Sequence, residues 1–94
     1  DEFCYGKYGK LKVIIMEKNG YMNVTKLCAD SGKDFESWLE IDNYKDLVSY
    51  VDNKLSKQKD KNMPRKSIIY VDNGNKLTSG TYVYSKLFVH VAAW

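Results

Sequence analysis

The chain has 94 residues, 44% of them apolar and 29% charged, with a formal net charge of +3; that is enough for one modest core and so for one domain. No apolar run reaches the roughly 20 residues of a membrane-spanning helix, and Asp1-Glu2-Phe3-Cys4 has none of the basic and apolar regions of a signal peptide. A single His90 and two cysteines, Cys4 and Cys28, in no CxxC or Cys/His spacing leave too few soft ligands for zinc; both thiols read as reduced, with Cys28 a small buried hydrophobe.

Residues 11–17 are rich in Val and Ile, with apolar side chains at successive positions, which predicts a strand covered on both faces. Asn19-Gly20 then reads as a hairpin turn in which both central residues take positive φ, so that Tyr21 and Met22 return as a short antiparallel strand. At Asn23-Val24-Thr25 the period changes. Val24, Leu27 and Cys28 fall on one face of a short helix, Asn23 or Thr25 caps it, and Gly32 ends it. The same Asn-x-Thr triplet spells a glycosylation sequon, but without an export signal the capping role is the better reading.

Asp34 predicts the cap of a second helix whose inward side is Phe35, Trp38 and Leu39. Asp42 predicts the cap of a third, with an apolar stripe of Tyr44, Leu47, Val48, Val51 and Leu55 and with Asp46, Ser49, Asp52, Asn53 and Ser56 on its other faces. Asp42-Asn43 is a weak breaker, so the two read equally as separate helices or as one bent helix. Residues 56–64 have one apolar residue, no periodicity and the only proline, and are expected to form an exposed, mobile connection. A strand over 67–71, a second Asn-Gly turn at Asn73-Gly74, and a return through 76–78 and 81–84 with Gly80 as a bulge predict a long ribbon. Ser85 is expected to cap a last helix with Leu87, Phe88, Val91 and Ala92 inward, cut short at Trp94. The fold class is therefore α+β: an N-terminal β-hairpin, paired helices in a helix-turn-helix-like arrangement, a second hairpin serving as a wing, and a C-terminal helix.

Charge is segregated along the chain. Residues 28–53 carry Lys33 and Lys45 against Asp30, Asp34, Glu36, Glu40, Asp42, Asp46 and Asp52, a net of −5. Residues 54–76 reverse the sign, with Lys54, Lys57, Lys59, Lys61, Arg65, Lys66 and Lys76 against Asp60 and Asp72, a net of +5. Such a basic block suits a polyanion, and its preponderance of Lys over Arg suits loose phosphate contact better than bidentate base reading. A hairpin tipped by Asn73, Gly74, Asn75 and Lys76 has the plan of a wing, in which Asn side chains offer paired hydrogen bonds to adenine edges.

Catalytic chemistry has no candidate. The glycines form neither a GxGxxG nor a GxxxxGK[ST] pattern, and Gly6, Gly9, Gly20 and Gly74 read as turn residues. His90 lies on a helix as a lone, partly buried or capping residue. The acidic block has no calcium-loop spacing. No catalytic residue, cofactor or metal is expected, and binding is the expected function.

Tyr21-Met22-Asn23-Val24-Thr25-Lys26-Leu27-Cys28, the Phe35 and Trp38 pair, and Gly80-Thr81-Tyr82-Val83-Tyr84-Ser85-Lys86-Leu87 with Ala92, Ala93 and Trp94 together resemble the two ordered hallmarks of the KilA-N domain of large DNA viruses and phages, especially its poxvirus branch. The resemblance covers 21–94, with 4–20 consistent with an opening hairpin; Tyr84-Ser85 departs from the His-Pro of many members. It implies a DNA-binding domain related to fungal APSES domains, often followed in poxviruses by a RING-finger domain, and a location in the host cytoplasm at viral factories. Carried onto this chain, it points to a wing over 65–84 and a helix-plus-loop approach over 54–61.

The expectation is a domain that binds double-stranded DNA mainly through phosphates, using Lys54, Lys57, Lys59, Lys61, Arg65, Lys66, Asn73, Asn75 and Lys76, with RNA left open as a second partner. The alternative is a protein-interaction or homodimer module in which the acidic 28–53 face meets the basic 54–76 block of another copy.

Overall fold

The computed structural model describes residues 2–94. Five antiparallel strands, β1 (Phe3–Tyr8), β2 (Leu11–Met16), β3 (Met22–Asn23), β4 (Ile68–Val71) and β5 (Gly80–Val83), form one sheet in the order β1-β2-β3-β5-β4. Four helices, α1 (Val24–Asp30), α2 (Phe35–Leu39), α3 (Asp42–Lys57) and α4 (Ser85–Ala93), complete the α+β fold.

Alternation along the strands divides the core between the two faces of the sheet. On one face, Val13 and Val83 pack with Val24, Leu27 and Cys28 of α1, Phe35 and Trp38 of α2, and Leu87, Phe88 and Val91 of α4. On the other, Ile14, Met16, Tyr21 and Tyr82 form a second cluster, bordered by Phe3, Met63, Ile69 and Tyr84. The stripe of α3 is only half covered, with Leu55 its one buried residue. Burial pushes the Cys28 thiol up, with Asp34 adding to the shift and Lys33 opposing it, as expected for a structural rather than a reactive cysteine.

The strand β1 enters the sequence reading only through the resemblance, which allows an opening hairpin over 4–20; residue patterning placed Gly6 in a turn. Gly6 is a strand residue opposite Val13, and a Cβ there would stand 2.6 Å from Ile15 Cδ1. Its glycine is selected by close packing and not by turn geometry. Neither Asn-Gly pair makes the two-residue turn expected of it, because among the described residues none other than glycine has positive φ. Four residues, 17–20, connect β2 to the pairing of Met16 N–H with the Tyr21 carbonyl at 2.8 Å. The link between β4 and β5 has eight, 72–79. Residues 76–78 accordingly lie in a loop, the ribbon is short, and Gly80 begins β5 instead of forming a bulge.

Local caps are mixed in outcome. Asn23 accepts from Lys26 N–H at 2.9 Å and Asp34 from Glu36 N–H at 3.3 Å, as read from the sequence. Thr25 is not a cap: its Oγ1 accepts from Thr81 N–H at 2.9 Å and ties α1 to β5. Asp42 and Ser85 do not cap either, since the cap positions are Ile41 and Tyr84 with no side-chain bond. Each helix starts one residue early because the Ile41 carbonyl takes Lys45 N–H at 2.9 Å and the Tyr84 carbonyl takes Phe88 N–H at 3.1 Å. The α2 and α3 helices are separate, with 40–41 between them.

Two further assignments change in three dimensions. Asp52, placed on a solvent face by periodicity, has its Oδ1 receiving both the N–H (2.7 Å) and the hydroxyl (2.6 Å) of the fully buried Ser67, so it anchors α3 to the start of β4. The connection expected to be free continues α3 to Lys57 and is then knit together. Gln58 Nε2 donates to the Met63 carbonyl at 3.0 Å, and Arg65 donates to the Ser56 carbonyl at 2.7 Å.

Tyr21 closes this end of the sheet, its hydroxyl donating to the Lys66 carbonyl at 2.8 Å. Burial, then the neighbouring Tyr84 and Asp52, raises its ionisation far above that of a free tyrosine, and burial also raises that of Tyr82. The unfolded chain therefore loses these protons first, near pH 10, and stability should be complete below that pH and fall as pH rises above it. In urea unfolding at pH 8 and pH 11, Tyr21→Phe should lose about 1 kcal/mol at the lower pH with its hydrogen bond and show a smaller alkaline loss than the unaltered chain. An unchanged alkaline loss would place its cause elsewhere.

Candidate nucleic-acid interface

All nine side chains read from the sequence as a binding surface are exposed, but they do not form one patch. Lys54 and Lys57 lie on the last turns of α3; Lys59, Lys61, Arg65 and Lys66 follow on the loop to β4. Asn73, Asn75 and Lys76 sit in the loop after β4. Since β4 runs between the two groups, and a strand advances about 3.3 Å per residue, they project from opposite ends of the sheet, more than about 13 Å apart.

The 54–66 end is built on the C-terminus of α3. Basic side chains there are favourable to the helix dipole, and Lys54 places its ammonium 4.7 Å from the Tyr50 ring centroid. A shallow cavity of about 270 Å³ lies beside them, lined by Tyr50, Val51, Lys54, Leu55, Gln58, Tyr84 and Lys86. Arg65 is partly committed, because one guanidinium nitrogen bonds the Ser56 carbonyl.

The 72–79 loop is organised by Asn73. Its Oδ1 accepts from Asn75 N–H at 3.0 Å and from the Ser79 hydroxyl at 2.9 Å, while its Nδ2 donates to Thr78 Oγ1 at 2.9 Å. Asn75 Oδ1 likewise accepts from Leu77 N–H at 2.9 Å. Asn73 thus spends its Oδ1 and one Nδ2 hydrogen within the loop, whereas Asn75 commits one lone pair of its Oδ1. The loop is pinned to the sheet by the Tyr82 hydroxyl, which donates to the Thr78 carbonyl at 2.6 Å, and leaves Lys76 exposed at its tip.

The register brings other cations to this same end. Lys7 and Lys12 pair directly across β1 and β2, with Lys10 in the turn between the strands. Lys26 of α1 lines a concavity of about 250 Å³ with Tyr5, Lys12, Ile14, Asp30 and Leu77. Sequence order did not single these lysines out, because they are spread over twenty residues with no local block of charge. The signal was the acid-free run from Phe3 to Met16. Among the described residues, no group of three or more His, Cys, Asp or Glu side chains is arranged to hold a metal, and no helix is long and apolar enough to cross a membrane. His90 is exposed, its ring 6.1 Å from that of Tyr44.

A family model described as KilA-N domain matches residues 6–94. Over its whole length the chain is 38% identical to a protein of Acanthamoeba polyphaga mimivirus that is named for a KilA-N domain, and covers 20% of it. It is 26% identical over its whole length to an uncharacterized fowlpox virus protein, covering 62% of it, and 28% identical to a protein of Invertebrate iridescent virus 6, also named for a KilA-N domain, covering 26% of it. The chain thus spans between a fifth and three fifths of the length of these relatives. No solved structure matches it.

Proposed function

Because the chain belongs to the KilA-N domain family, generally a family of DNA-binding domains, we propose that it binds double-stranded DNA chiefly through phosphates, with Lys54, Lys57, Lys59, Lys61, Arg65, Lys66 and Lys76 as contacts. The supporting observation is that all seven cations are exposed, six of them together at the α3 end of the sheet and Lys76 on the hydrogen-bonded loop at the other end. Asn73 and Asn75 shape the loop that carries Lys76. Lysines on such mounts neutralise phosphates without reading base edges, which favours affinity over sequence discrimination.

Anisotropy titration of labelled duplexes over a range of salt tests this directly. If about six cations displace counterions, log affinity falls against log salt with a slope of about −5. Lys57→Ala, Lys59→Ala and Lys61→Ala together should weaken binding to all duplexes alike, with the domain still folded because none of the three is buried. A flat salt response overturns the proposal. Absence of duplex binding by a folded domain, with a dimer that salt weakens, would instead favour the interaction of the acidic helices with the basic end of a second copy.

A further inference from the structure

We propose that the β1–β2 hairpin is a second DNA-contacting prong, which works with the 72–79 loop at one end of the sheet and takes phosphates through Lys7, Lys10 and Lys12. The inference rests on the DNA-binding reading above and adds to it a contact surface at the Lys76 end of the sheet.

Four observations carry it. Lys7 and Lys12 stand directly opposite each other in the ladder, an arrangement of like charges that destabilises a sheet, and the strands contain no acid from Phe3 to Met16 to relieve it. An anion between them removes that repulsion. The mount is stiff: Gly9 has φ 60° and Lys10 does not have positive φ, the pattern of a two-residue type II′ turn, which aims Lys10 off the tip. Tyr5, 57% exposed, holds the Lys12 ammonium 4.4 Å from its ring centroid, so this cation is positioned over the sheet face instead of trailing in solvent.

The fourth observation is the placement of the hairpin. Antiparallel register through β3 and β5 puts the row of Lys7 and Lys12 level with Gly80 and Val71, so the β1–β2 turn and the β4–β5 loop leave the sheet in the same direction. Leu77 of that loop lines the same concavity as Tyr5 and Lys12 of the hairpin, with Lys26 and the carboxylate of Asp30 on its α1 side. Three strand spacings separate the axes of the two hairpins, about 14 Å, close to the roughly 12 Å width of the major groove of B-DNA. Each tip can therefore meet one rim of a groove. The 54–66 group, at the opposite end of β4, cannot share that groove with them.

The experiment compares two sets of substitutions in the same duplex titration, one at Lys7→Thr, Lys10→Ala and Lys12→Thr, the other at Lys57→Ala, Lys59→Ala and Lys61→Ala. Threonine keeps strand propensity, and removal of the opposed lysines should leave the thermal unfolding midpoint unchanged or raise it. The hairpin set is expected to lower affinity by about 100-fold near 0.1 M salt and to reduce the salt slope by about 3, a larger loss than the loop set produces. Lys10→Glu alone, at an exposed turn, gives the same direction if the triple variant fails to fold. Unaltered protein that binds duplex with hairpin variants of equal affinity and slope overturns this inference and leaves the DNA-binding reading intact. Unaltered protein that binds no duplex overturns both.

Discussion

Replacing Gly80 with alanine is expected to cost about 4 kcal/mol, enough to unfold much of a domain this size. Gly80 has φ 142°, in the region that side chains with a Cβ rarely adopt. A Cβ there would stand 3.0 Å from both Cβ and Oγ1 of Thr25 and 3.3 Å from Asn23 Nδ2. Thr25 cannot withdraw without releasing its bond from Thr81 N–H, and Asn23 cannot withdraw without uncapping α1. Backbone strain and the clash therefore fall on the same joint, where the first helix meets β5. Gly74→Ala is the control, since Gly74 has φ 78° but nothing within 4 Å of its added Cβ. It should cost only the backbone penalty, about 1 kcal/mol. Urea unfolding of both variants measures the difference; equal losses would show that the packing against Thr25 contributes nothing.

The second large effect is expected at Trp38. Its side chain is fully buried and lies between two rings, with centroids 5.6 Å from Phe35 and 4.4 Å from Tyr44 and interplanar angles of 13° and 19°. The stack joins α2 to α3, whose stripe is otherwise half covered. Trp38→Ala should cost about 4 kcal/mol from lost burial and the cavity left behind. Trp38→Phe should cost far less than its volume change suggests. The buried indole N–H has no hydrogen-bond partner among the described residues, and its removal returns part of the 1–3 kcal/mol that such a group typically costs. Chemical unfolding of the two variants tests this; a Phe variant as unstable as the Ala variant would show that the indole N–H carries no penalty.

Duplex binding should respond quite differently from stability. Under the proposed function, lysine substitutions at either end of the sheet are expected to change affinity and salt slope and leave the core untouched, whereas those at Gly80 and Trp38 are expected to act through the fold.

Much of this protein was readable residue by residue where the cause is local. Asn23 and Asp34 cap their helices because a short polar side chain needs only the next two or three amides. Phe35, Trp38, Leu87, Phe88 and Val91 are buried where helical spacing placed them. Local pattern misled where a neighbour decided the outcome. Asp42 and Ser85 lost their cap positions to Ile41 and Tyr84, Asp52 was drawn to Ser67, and Thr25 was drawn to Thr81. The strand β1 escaped residue patterning because Gly6 and Lys7 interrupt an otherwise apolar and aromatic run.

By itself the sequence determined the α+β class, the family, two of the caps, the helical part of the core and the order of charge along the chain. Each of these depends on period, on short-range hydrogen bonding or on residue types in a row. Only the tertiary structure decided which charges stand together. Lys66 and Asn73 are seven positions apart, yet β4 holds them at opposite ends of the sheet; Lys10 and Lys76 are separated by most of the chain, yet antiparallel register turns them out at the same end. Strand order is set by which side chains must be buried and which amides must be paired. A run of lysines carries neither kind of information, so the shape of a charged surface follows from the sheet beneath it.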